Sequence, residues 1–227
     1  PPPTPSPSPS MTRLYHYPLS PFCRQVRLTL GEKRIEVELV EEKYWEQDPD
    51  FLRRNPAGQV PVLRLHGRML ADSVAICEYL EETVPAPPLL PTGPEARYEA
   101  RRLQAWFDGK FHAEVTRKLM TERVFKKLQG GGVPDSAAVK AGSRDMKLHL
   151  AYITGLLETR RWIAGGDMTI ADFAAAAQLS VLDYVSDVPW DRYEAVKDWY
   201  AKIKSRPAFR SLLADQVPGF RPAPHYA

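Results

Sequence analysis

Leu19-Ser20-Pro21-Phe22-Cys23-Arg24-Gln25-Val26-Arg27-Leu28-Thr29-Leu30 is the stretch on which the fold turns. Ser20 is a good N-cap residue and Pro21 suits the first helical position, where its missing N–H costs nothing. Phe22, Val26 and Leu30 recur every four residues, which predicts a helix packed on one face, ending near Gly31. Upstream, Leu14–Tyr17 is β-prone and is broken by Pro18. Downstream, Ile35-Glu36-Val37-Glu38-Leu39 alternates apolar and acidic side chains, the pattern of a half-buried strand. Strand, helix and strand in so short a span make a βαβ unit.

Further out, Asn55-Pro56-Ala57-Gly58-Gln59-Val60-Pro61-Val62-Leu63 leads into a predicted strand at Val62–Leu65. His66-Gly67 joins this strand to Met69–Ala71 as a hairpin. Proline cannot donate to a ladder, so Pro61 just before a strand suggests a cis Val60–Pro61 bond. Asp72-Ser73 then caps a helix carrying Ile76, Cys77 and Leu80. The order βαβ followed by ββα is a thioredoxin-like layout. Residues 84–94 are proline-rich and end this part. Beyond them helical signals dominate, over 95–127, 137–159, 191–204 and 207–214. Thr169-Ile170-Ala171-Asp172 has the form of a capping box before an alanine-rich helix. The expected organisation is a disordered Pro/Ser extension or an added linker over 1–10, an α/β domain over 11–84, a linker over 85–94, a helical domain over 95–215 and a tail over 216–227.

The 227 residues and 44% hydrophobic content suit a globular protein. No apolar run reaches the ~18 residues of a membrane span. PPPTPSPSPS has neither a basic start nor an apolar stretch, so it is not read as a signal peptide, and Met11 is the expected natural start. The net charge of +3 gives no case for nucleic acid. Residues 11–90 carry two more acidic than basic side chains, and residues 91–227 five more basic than acidic. Arg117, Lys118, Arg123, Lys126 and Lys127 share one predicted helix, as a solvated face or as a patch for an acidic partner. Two cysteines, Cys23 and Cys77, are too few for a zinc site or a disulfide framework, which favours a reducing cytoplasm.

LSPFCRQVRLTL, NPAGQVPVL and LADSVAICEYLEE together resemble the N-terminal domain of glutathione S-transferases in order, spacing and residue type. The serine-type classes, such as the plant tau enzymes, are the nearest match. The resemblance implies a thioredoxin-like domain followed by an all-helical domain, glutathione as substrate, and a symmetric homodimer. Such an enzyme must ionise the glutathione thiol, since the thiolate is the nucleophile and a free thiol with a pKa of about 8.5 is mostly protonated. Ser20 matches the family's catalytic serine, a hydroxyl at a helix N-terminus, where negative charge is favoured. Tyr17 is a second candidate donor. In omega-like relatives the reactive cysteine falls at the Ser20 position. Cys23 therefore reads either as a redox residue or as a filler of the helix face, and Cys77 as core.

The resemblance also assigns the glutathione contacts. Asp72 and Ser73 match the acidic-serine pair at the γ-glutamyl end, and Val60 would pair its backbone with the cysteinyl unit. Gln47 and Gln59 stand where the tau pattern has two lysines for the glycine carboxylate. Charged hydrogen bonds contribute about 1.5–3 kcal/mol against about 0.5–1.5 for neutral ones, so losing both charges weakens binding by on the order of ten- to a hundredfold. Trp106, Phe107 and His112 lie on the helix that normally lines the electrophile site. From LYHYPLSPFCR to PGFRPAPHYA the chain is also similar to the transferase-like cell-division proteins of alphaproteobacteria. That second likeness implies a scaffold that binds FtsZ filaments and regulates their curvature without needing glutathione.

Overall fold

In the computed structural model, which describes residues 11–227, β1 (Arg13–His16) is an inner strand of a four-stranded mixed sheet. The reading of residues 1–10 as an extension lies outside the described residues. β2 (Glu38–Glu41) pairs with β1 in parallel, β3 (Val62–Leu65) pairs antiparallel on its other side, and β4 (Arg68–Ala71) closes the far edge. β2 begins three residues later than the alternation of Ile35–Leu39 predicts. It is an edge strand with Leu39 exposed, so period-two patterning there reflects the approach to the sheet rather than the paired segment. The β3–β4 turn takes positive φ at both His66 and Gly67, as a two-residue hairpin requires. The Val60–Pro61 bond is cis, and Pro61 stands just outside the ladder.

Helix α1 (Pro21–Glu32) starts as expected. Ser20 is its N-cap and Oγ accepts from Cys23 N at 3.3 Å. The expectation of one buried face is corrected: every residue from Cys23 to Leu30 is buried, including Arg24, Gln25 and Arg27. The helix lies between α3 (Ser73–Thr83) and α8 (Ile170–Tyr184), so both sides are covered. Its polar residues are buried with partners. Arg24 donates to Pro18 O, Ser180 Oγ and Asp215, while Arg27 binds both oxygens of Asp215. Gly31 admits Ala208, because a Cβ there would sit 2.8 Å from Ala208 Cβ and 3.0 Å from its Cα.

After the short α2 (Pro49–Arg54), the rest of the chain is helical. One unbroken run over 94–128 contains α4 (Pro94–Ala105), α5 (Arg117–Met120) and α6 (Lys126–Leu128), joined by π-helical stretches at Trp106–Thr116 and Thr121–Phe125. α7 (Ser136–Leu157) returns alongside it. α8 is buried along its whole length and starts at the predicted capping box. Asp172 accepts from Thr169 N at 2.9 Å, and also takes Ile163 N and Trp199 Nε1. α9 (Glu194–Lys204) and α10 (Arg210–Leu213) complete the bundle. Residues 216–227 fold back on α8. Val217 N donates to the Tyr184 hydroxyl, which donates to Phe220 O, and Tyr226 is fully buried with its hydroxyl on Leu212 O. Among the described residues no helix is long and apolar enough to cross a membrane.

Candidate functional site

Between the sheet and the helical run lies a cleft of about 810 Å³. Ser20, Gln59, Val60, Asp72 and Ser73, drawn from three separate segments, all line it. The N-terminus of α1 supplies Ser20. Its Oγ accepts from Cys23 N, which leaves the hydroxyl proton for a group in the cleft. The loop before β3 is fixed by Asn55, whose Nδ2 donates to Gln59 O at 2.8 Å and whose Oδ1 accepts from Ala57 N. Asp72 adopts φ 76°, a region non-glycine residues rarely enter, and its carboxylate caps Ala75 N at 2.9 Å. That backbone turn sets Ser73, the first residue of α3, against the cleft.

Gln47 is not brought to the cleft. Its Nε2 donates to Tyr44 O at 2.6 Å and Gly58 O at 3.0 Å, so the side chain ties two loops together. The aromatic residues expected on the opposite wall are also redistributed. His112 lines the cleft, with its ring 4.7 Å from that of Phe22. Phe107 is fully buried in the core, and Trp106 stacks on Tyr152 while donating to His149 Nδ1. Tyr17 is buried beneath Trp45 and Phe125 and does not line the cleft. Burial pushes the Cys23 thiol up to about 11 and the Cys77 thiol to about 12, so neither is a ready thiolate.

Sequence reasoning missed Asp108. It lines the cleft, its Oδ1 accepts from Gln25 Nε2 at 2.8 Å, and its Oδ2 is out of solvent contact without a partner. Burial pushes this carboxyl up to about 7, against the opposing pull of the Gln25 hydrogen bond. The available signal is a polar track, Asp108, His112 and Thr116, running beside the apolar track of Phe107, Phe111 and Val115. The basic cluster of the helical run is split by its geometry. Lys118 pairs with Asp145, Arg123 with Asp187, and Lys126 with Glu122, while Lys127 lies over the Phe220 ring. Arg117 and Lys126 line the cleft.

Residues 14–88 match the glutathione S-transferase N-terminal domain family, and residues 115–207 match the C-terminal domain family. FtsZ-localized protein A of Caulobacter vibrioides is 51% identical over 94% of this chain and 95% of its own length. Glutathione S-transferase 3 of Zea mays is 30% identical over 89% of this chain and 93% of its own. Among solved structures, a glutathione S-transferase from Rhodospirillum rubrum superposes with a TM-score of 0.94 at 49% identity, covering 96% of this chain and 98% of that one.

Proposed function

The chain belongs to the glutathione S-transferase family, and on that premise we propose that it binds glutathione in the cleft and transfers it to an apolar electrophile. The observation that carries this reading is Ser20 at the N-terminus of α1, opening onto the same cleft as Val60, Asp72 and Ser73. The Ser20 hydroxyl donates to the glutathione sulfur and the helix end stabilises its negative charge. The thiolate then attacks an electrophilic carbon. A C–S bond forms, the leaving group departs with its electron pair, and the thiol proton goes to solvent. Asp72 and Ser73 hold the γ-glutamyl end, Val60 the cysteinyl backbone and Gln59 the glycine end. The protein works in the cytoplasm, in keeping with its two free cysteines. It works as a homodimer, in keeping with exposed apolar side chains on both halves, Met69 and Tyr98 among them. Calorimetric titration with reduced glutathione tests the reading. Binding weaker than about 10 mM, or about −2.7 kcal/mol, would count against it.

A second reading has its own support: association with FtsZ filaments as a scaffold that regulates their curvature. The 51% identity to FtsZ-localized protein A spans nearly the whole chain. Gln47 is also committed to backbone carbonyls, and no cation stands at Gln59, so the glycine end of the glutathione site is weak in charge. Co-sedimentation with FtsZ filaments tests this reading directly, and a protein that stays in the supernatant counts against it.

A further inference from the structure

The cleft is segregated by charge. Its carboxylates, Asp72 and Asp108, come from the start of α3 and the early part of the π-helical stretch, while its basic side chains, Arg117 and Lys126, come from later in the same helical run. Between these ends the walls are largely apolar, with Phe22, Met120 and Phe125 among them. Lys126 already has Glu122 at 2.8 Å. Arg117 differs from the other members of the basic cluster. Among the described residues it has neither a carboxylate partner nor an aromatic ring beneath it, and it is exposed at the cleft wall. Lys118, Arg123 and Lys126 are ion-paired, and Lys127 covers Phe220. A guanidinium with five donors and no anion, beside apolar surface, is suited to a molecule with a flat apolar body and a carboxylate-like group.

We infer that Arg117 makes this cleft selective for anionic second substrates, aromatic or alkyl bodies bearing a carboxylate. The electrophilic carbon would sit toward Ser20 and the carboxylate on the guanidinium. Phe22, whose ring is tilted against that of His112 at 4.7 Å, would carry the apolar body.

This inference rests on the two-substrate reading of the cleft, but it is testable without glutathione. Naphthalene-2-carboxylate and 2-naphthamide are matched in shape and differ in charge. Calorimetric titration of each into the parent at pH 7 should show the carboxylate binding about tenfold tighter or better. Arg117→Gln should bring the two within about twofold. Arg117→Lys should keep part of the preference. Lys118→Gln removes the same charge from a residue paired with Asp145 outside the cleft lining, and should leave the preference intact. Equal binding of acid and amide by the parent, binding of neither, or equal losses in Arg117→Gln and Lys118→Gln would each overturn the inference. A parent that shows the preference yet fails to bind glutathione would leave Arg117's role standing and defeat the transferase reading alone.

Discussion

Gln25 Nε2 donates to Asp108 Oδ1 at 2.8 Å, so the cleft's most buried carboxyl is held by a residue of the opposite domain. The other oxygen has no partner, and burial raises this carboxyl from 3.8 to about 7. Between those values the folded protein keeps a proton that the unfolded chain has released. Stability from this group is therefore fully present below about pH 4 and is lost as the pH rises through 7.

Asp108→Asn keeps an acceptor for Gln25 and abolishes the titration. The variant should gain in Tm over the parent, and gain more at pH 8 than at pH 5. Thermal unfolding at both values checks this, and a gain that does not grow with pH would show that Asp108 stays ionised in the fold.

Ser20→Ala removes both the N-cap acceptor for Cys23 N and the donor offered to the cleft. Stability should fall by about 1 kcal/mol. If glutathione binds, the pKa of its bound thiol, followed by the ultraviolet absorbance of the thiolate, should rise toward about 8.5. Transfer should slow by on the order of a hundredfold. An unchanged thiol pKa would remove Ser20 from the chemistry and leave it as a cap.

Gln59→Lys restores a cation at the glycine end. Gln59 is exposed at the cleft and gives its backbone carbonyl, not its amide, to Asn55, so the exchange should fold without penalty. Glutathione binding should tighten by about tenfold, the difference between a charged and a neutral hydrogen bond. Calorimetry showing no change would mean that the glycine carboxylate does not reach residue 59.

Asp215→Ala leaves Arg24 and Arg27 buried without their anion. Their side chains are 0% and 2% exposed. Removing one partner from such a group costs about 3–5 kcal/mol. Denaturant unfolding should show that loss, with a smaller one in Asp215→Asn, which keeps an acceptor. A loss under about 1 kcal/mol would show that water reaches the two guanidinium groups.

The local signals in the sequence carried well where chemistry at one residue forces a backbone state. Ser20 before Pro21, His66-Gly67 in the hairpin and Thr169 with Asp172 at the start of α8 are all as read. Periodicity failed where burial is set by distant chain. α1 is covered on both sides by elements far away in sequence, so Arg24 and Gln25, which do not belong to the repeat of Phe22, Val26 and Leu30, are core as well. In the candidate site the same distinction holds. Residues fixed by their own turn, such as Asp72 and Ser73, were legible. Asp108 and Arg117 acquire their meaning only when the helical run is laid across the sheet, and Gln47 was drawn away by carbonyls at Tyr44 and Gly58 that no spacing rule anticipates.

The segment that folds back on α8 bears on how the protein is made. Tyr226 fills a closed slot in the helical core, yet it leaves the ribosome after every helix it packs against. Synthesis therefore delivers a bundle whose last core piece is missing, with Tyr184 and Leu212 waiting for partners until residues 217–226 have emerged. Nascent chains stalled before residue 217 should be protease-sensitive in α8, and a chain released early should be a client for chaperones rather than a slightly shortened protein.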